Sequence, residues 1–155
     1  MKKILIIFLL TFNSLSAEEV TPLNFTDINH LLMDDNLTYK LLEDCVALNS
    51  AVTELIKDEH PKLANEFYDS ANYLYPFGIL TLKKIKKLKK KDAEKEFYIR
   101  VVKRTDDYMK FMRENGKKNK SYFKGTFLGQ ILIIVMRLEL QLKFLFLRAS
   151  KLNFS

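Results

Sequence analysis

Apolar residues recur three and four positions apart along most of this chain, and that rhythm constrains its fold more than any other feature. Leu41, Cys45, Leu48, Val52 and Leu55 make one such stripe, and Ala64, Phe67, Ala71 and Leu74 make another. Side chains at these spacings gather on one face of an α-helix and scatter over both faces of a strand. Only four Gly and three Pro occur in 155 residues, too few for the many tight turns of a sandwich or barrel. The length suits one domain. The reading is therefore all-α: an irregular four- to five-helix bundle, preceded by a cleavable signal peptide.

The signal is read from the first 17 residues. Lys2 and Lys3 form a positive start, Ile4 to Leu10 is unbroken apolar sequence, and Asn13 to Ala17 is mostly small and polar. That order is the organisation of a bacterial-type export signal, with cleavage expected after Ala17 or Ser16. The apolar run is about half the length needed to cross a bilayer as a helix. Residues 18–35 then read as an extended leader with a short helix carrying Ile28, Leu31 and Leu32, and residues 36–155 as the bundle domain. The expected location is the periplasm or the cell exterior.

Within the bundle, Asp34-Asp35-Asn36 reads as a helix boundary, and helices are expected over 36–57, 58–90, 92–115 and 121–150. Pro61 suits a first turn, where its missing N–H is not needed. Pro76 and Gly78 should kink or end the second helix near Tyr75. Asp92 is the expected cap of the third, with Tyr98, Val101, Thr105, Tyr108 and Met112 on its inner face. Glu96 with Arg100 and Asp106 with Lys110 are expected to pair one turn apart. Asn115-Gly116 reads as its end, glycine supplying a left-handed residue.

The final segment is the most apolar. Ile131 to Met136 is apolar on every side, which suits a helix with neighbours all round. Arg137 to Phe144 alternates as a strand would, but its Leu, Glu, Gln, Lys and Arg are strong helix formers and none of it is β-branched, so helix is preferred. Arg137, Glu139 and Lys143 exclude a transmembrane reading.

Charge is unevenly placed. From Glu18 to Leu80 the net is −9, from Thr81 to Ser155 it is +14, and Lys2 and Lys3 complete the total of +7. The densest basic stretch holds Lys83, Lys84, Lys86, Lys87, Lys89, Lys90 and Lys91, with Ile85 and Leu88 between them as core contacts. Such a surface suits anionic lipid headgroups or a protein partner. Nucleic acid fits less well, since the run has no arginine and no interleaved aromatics for base stacking. A solvated face partly neutralised by the acidic first half is the simpler account of the run.

Catalytic motifs are absent from the sequence. Gly78, Gly116, Gly125 and Gly129 build no phosphate loop or dinucleotide fingerprint. His30 and His60 do not form a two-histidine metal motif, and one Cys excludes a disulfide framework or a cysteine zinc site. No cofactor or metal is expected. Cys45 on its apolar stripe reads as a buried thiol, with an intermolecular bridge as the alternative. The four Asn-X-Ser/Thr sites carry no weight beside a bacterial signal. Tyr68, Tyr73, Tyr75 and Phe77 crowd around Pro76 and could line a ligand groove, although core packing explains aromatics there as well. The chain is read as a non-enzymatic binding or interaction module. The alternative is a hydrolase-type enzyme with a site assembled near His60 and Tyr73 to Phe77.

Overall fold

The computed structural model describes residues 33–124, together with 126, 138 and 140. Among the described residues three helices can be bounded, α1 (Asp35–Ile56), α2 (Pro61–Lys86) and α3 (Lys90–Asn119), and there is no strand. They pack as a helical bundle around one apolar core. The signal-like segment, most of the leader with its short helix, and the apolar run 131–136 lie outside the described residues.

α1 starts where the acidic cluster predicts. The Asp34 carboxylate accepts from the backbone N–H of Asn36 at 2.8 Å and of Leu37 at 3.1 Å, filling two of the donors that a helix start leaves open. From Leu41 to Val52 only Glu43 and Ser50 escape full burial, so α1 is enclosed on every side and not along one stripe alone. Burying each leucine contributes about 1.5–3 kcal/mol, so packing outweighs helix propensity here. Between Leu41 and Val52 the two buried polar side chains, Asp44 and Asn49, are both partnered. The Asn49 amide donates to Ser70 Oγ at 3.0 Å and ties α1 to α2.

α2 begins at Pro61, three residues later than expected. Residues 57–60 form the turn, in which the His60 N–H still donates back to the Ile56 carbonyl at 2.7 Å. Pro61 then takes the first helical position. The helix does not end at Pro76 but runs through it to Lys86. The apolar stripe explains this. Ala64, Ala71, Leu74, Gly78, Ile79 and Leu82 stay in phase on both sides of the proline and all are buried. Pro76 itself is exposed, and so is Asn72, whose carbonyl one turn back the proline leaves without a donor. Gly78 is a seat for the Phe97 ring: a Cβ there would lie 2.1 Å from Phe97 Cζ.

α3 begins at Lys90, with Lys89 in extended backbone as its cap residue and Asp92 inside the first turn. It passes through Asn115-Gly116 and ends at Asn119, where Lys120 takes the left-handed conformation at φ 53°. Asn115 serves the exit instead. Its amide donates to the carbonyls of Ser121 at 2.6 Å and Lys124 at 3.2 Å, while Gly116 leaves room for the Tyr122 ring. Residues 121–124 are therefore a turn, and no helix starts at Ser121. On the inner face Phe97 is fully buried, whereas Tyr98 points outward at 59% exposure.

Leu138 and Leu140 are both helical, at 0% and 67% exposure. The rest of the alternating stretch 137–144 lies outside the described residues.

Candidate functional site

The seven lysines do not lie on one helix. They wrap the corner where α2 hands over to α3. Lys83, Lys84 and Lys86 occupy the last turn of α2, Lys87 caps it in the left-handed conformation at φ 53°, and Lys89 to Lys91 open α3. The Lys87 N–H donates to the Lys83 carbonyl, and the Leu88 N–H reaches the same carbonyl at 3.2 Å. Ile85 and Leu88 are half-buried against the core and hold the corner in place.

The electrostatics at the two helix ends differ. Cations in the last turn of α2 complement its carbonyl end, whereas those at the start of α3 stand on a helix end that is already positive. Two of the seven are neutralised by cross-helix pairs: Lys84 with Asp35 at 2.7 Å, and Lys86 with Glu96. Lys83, Lys87, Lys89, Lys90 and Lys91 are exposed, and no carboxylate sits within ion-pair distance of them among the described residues.

A groove of about 500 Å³ runs along the seam between α2 and α3. Tyr68 and Tyr75, seven residues apart on one face of α2, form one wall with Asn72. Tyr98, Val102 and Met109 of α3 form the other, and Val46 and Ser50 of α1 lie beneath. Tyr75 is held by the Phe97 ring, 5.2 Å between centroids. Tyr73 and Phe77 are not in this groove. They contact each other at 5.6 Å and pack half-buried against the core. The structure thus brings two of the four expected groove aromatics together and adds Tyr98, which was expected inside.

His60 is exposed at the start of α2, with no side-chain hydrogen bond capping the helix. Tyr75 lies about 20 Å further along the same helix axis, so the helix separates histidine from aromatics. Among the described residues no three His, Cys, Asp or Glu side chains converge as metal ligands, and no helix is long and apolar enough to cross a membrane. Cys45 is fully buried, and burial, reinforced by the neighbouring Asp44 charge, pushes its thiol well above the ordinary range. A bridge to another molecule through this sulfur requires the core to open.

One constellation escapes the sequence reading. Between α1 and α3, Arg104 Nε donates to Asp44 Oδ1 at 2.7 Å and its guanidinium lies 5.3 Å from the centre of the Tyr108 ring. One turn away, Arg100 Nε donates to Glu43 at 2.9 Å and lies 5.5 Å from the Tyr39 ring centre. Arg100 therefore pairs across helices and not with Glu96. Burial raises the Asp44 carboxyl above its usual value against the pull of Arg104. For Arg104 burial works in the opposite sense, but the hydrogen bond and charge of Asp44 hold it above the ordinary guanidinium value. The available signal was the use of arginine at two positions one turn apart in a chain that otherwise prefers lysine. A planar fork suits a half-buried carboxylate better than an ammonium does.

Compared with known proteins, the chain matches no protein-family model, no curated protein and no solved structure.

Proposed function

We propose that this chain is an exported helical binding module that uses its lysine corner to engage an anionic surface, the headgroups of an acidic bilayer. The observation that supports the reading is the group of five exposed lysines without carboxylate partners, three of them on the positive end of α3. Near an acidic leaflet each contributes about 1 kcal/mol, so five give weak, reversible binding that salt weakens. The turn geometry favours this use, since it spreads the ammonium groups around an end of the bundle instead of along a single helix face.

The test is sedimentation of the processed protein with vesicles of acidic and of zwitterionic lipid, at low and high ionic strength. Binding to acidic vesicles that disappears at high salt, and is weakened by replacing Lys87, Lys89 and Lys90 with alanine, is the expected outcome. Binding that ignores lipid charge defeats the proposal, and so does a stronger, equally salt-sensitive affinity for duplex DNA. Export is tested separately by the N-terminal residue of protein recovered from the cell envelope, expected at Glu18 or Ala17. An intact Met1 in that fraction contradicts cleavage.

A further inference from the structure

The groove between α2 and α3 has a chemistry opposite to that of the lysine corner and independent of it. Its volume of about 500 Å³ falls within the range of small-molecule sites. Tyr68 is 56% exposed and Tyr98 59%, unusual solvent access for two aromatic rings on facing walls. Tyr75, on the same wall as Tyr68, is held by the Phe97 ring, and burial, followed by the charges of Glu94 and Tyr98, raises its hydroxyl above the ordinary tyrosine value. The described lining carries two carboxylates, Glu54 and Asp106, and no Lys, Arg or His, in a chain of net charge +7. Glu54 is bound to Lys57 at 2.7 Å, whereas Asp106 makes no ion pair among the described residues.

Each class of ligand meets this lining differently. An anion is repelled by both carboxylates. A metal ion lacks a ligand set, since no three ligating side chains converge among the described residues. A neutral apolar molecule gains from the rings but leaves Asp106 unanswered. A cation on an apolar body satisfies both features at once, because tyrosine faces attract cations and the carboxylates add charge. We infer that the groove framed by Tyr68, Tyr75 and Tyr98 is a binding site for an organic cation, an amine or quaternary ammonium carried on an apolar group.

The experiment titrates the purified protein with benzyltrimethylammonium and follows the tyrosine ring resonances by NMR, with benzyl alcohol and benzenesulfonate as neutral and anionic counterparts. Saturable shifts of Tyr68, Tyr75 and Tyr98 with the cation, and none with the other two, are expected. Tyr98→Ala and Asp106→Asn, both at exposed positions, should each weaken binding about fivefold, whereas Tyr98→Phe keeps the ring face and the affinity. The inference is overturned by equal binding of benzyl alcohol, by no saturable shift in these rings, or by variants that bind as well as the parent. Vesicle binding by the lysine corner is read separately, so either result leaves the other interpretable.

Discussion

Tyr108 is fully buried beneath Arg104, and its hydroxyl has no hydrogen-bond partner; the same is true of Tyr39 beneath Arg100. Each ring gives the guanidinium a face to rest on, while each hydroxyl, though near a carboxylate (Asp44 for Tyr108, Glu43 for Tyr39), closes no hydrogen bond in place of the water it has lost. Tyr108→Phe keeps the face and removes the orphan, so it should match or exceed the parent in stability by about 1 kcal/mol in a denaturant titration. Its pH dependence follows from the same burial. Burial, then the charge of Asp44, lifts the Tyr108 hydroxyl far above 10.0, so the folded chain holds this proton more tightly than the unfolded chain does. That contribution is fully present below pH 10.0 and is lost as pH climbs toward the raised value. The parent should therefore lose stability above pH 10.0 more steeply than the variant, and equal slopes would refute the assignment. Gly78 makes the opposite case, where an added atom does harm. Phe97 cannot retreat, being held by Tyr39 at 6.0 Å and Tyr75 at 5.2 Å. Gly78→Ala should cost about 1–3 kcal/mol from overpacking even though alanine is the better helix former. Phe97→Leu in the same chain should recover part of that loss, giving a favourable coupling in a double-mutant cycle.

At the scale of elements, the 3–4 rhythm identified each described helix, and most of what it missed lies at their ends. Pro76 and Asn115-Gly116 are strong stop signals in isolation, yet both sit inside helices: past Pro76 the buried stripe continues in phase to Ile79 and Leu82, and past Gly116 the helix runs one exposed turn further to Asn119, whose amide donates to Asn115 Oδ1 at 2.6 Å. The true ends fall at Lys87 and Lys120, left-handed residues with a Cβ, which no propensity argument selects. The binding surfaces follow the same division. The lysine run was visible as composition, but its placement across two helix ends depends on the turn at Lys87. The groove was half visible, since Tyr68 and Tyr75 share a face of α2 by spacing alone. Tyr98 belongs to the other wall only because Phe97, one position earlier, takes the core side of α3. If continuity of packing is what carries α2 through Pro76, removing the proline at this exposed site should help and not harm. Pro76→Ala is expected to raise the melting temperature, with a gain of up to about 3 kcal/mol. A loss of stability would mean that the helix depends on the proline for its course.

Across the whole molecule, the acidic first half and basic second half meet each other. Asp35 with Lys84, Glu43 with Arg100 and Asp44 with Arg104 all join an acid of α1 to a base from the later sequence. The imbalance visible in the sequence is thus partly internal, and the excess appears at the corner, where five lysines find no such partner among the described residues. Lys87 serves both fold and surface, so one substitution can separate them. Its φ of 53° is the conformation glycine adopts without strain. Lys87→Gly should therefore stabilise the fold by about 1 kcal/mol, read by denaturant titration. The same change removes one ammonium group from the proposed contact, which should weaken binding to acidic vesicles about fivefold at low salt. A solvated corner without a partner predicts the gain in stability and no change in binding. A purely structural lysine predicts a loss of stability. Only a surface that binds anions while one of its residues strains the turn moves the two measurements in opposite directions.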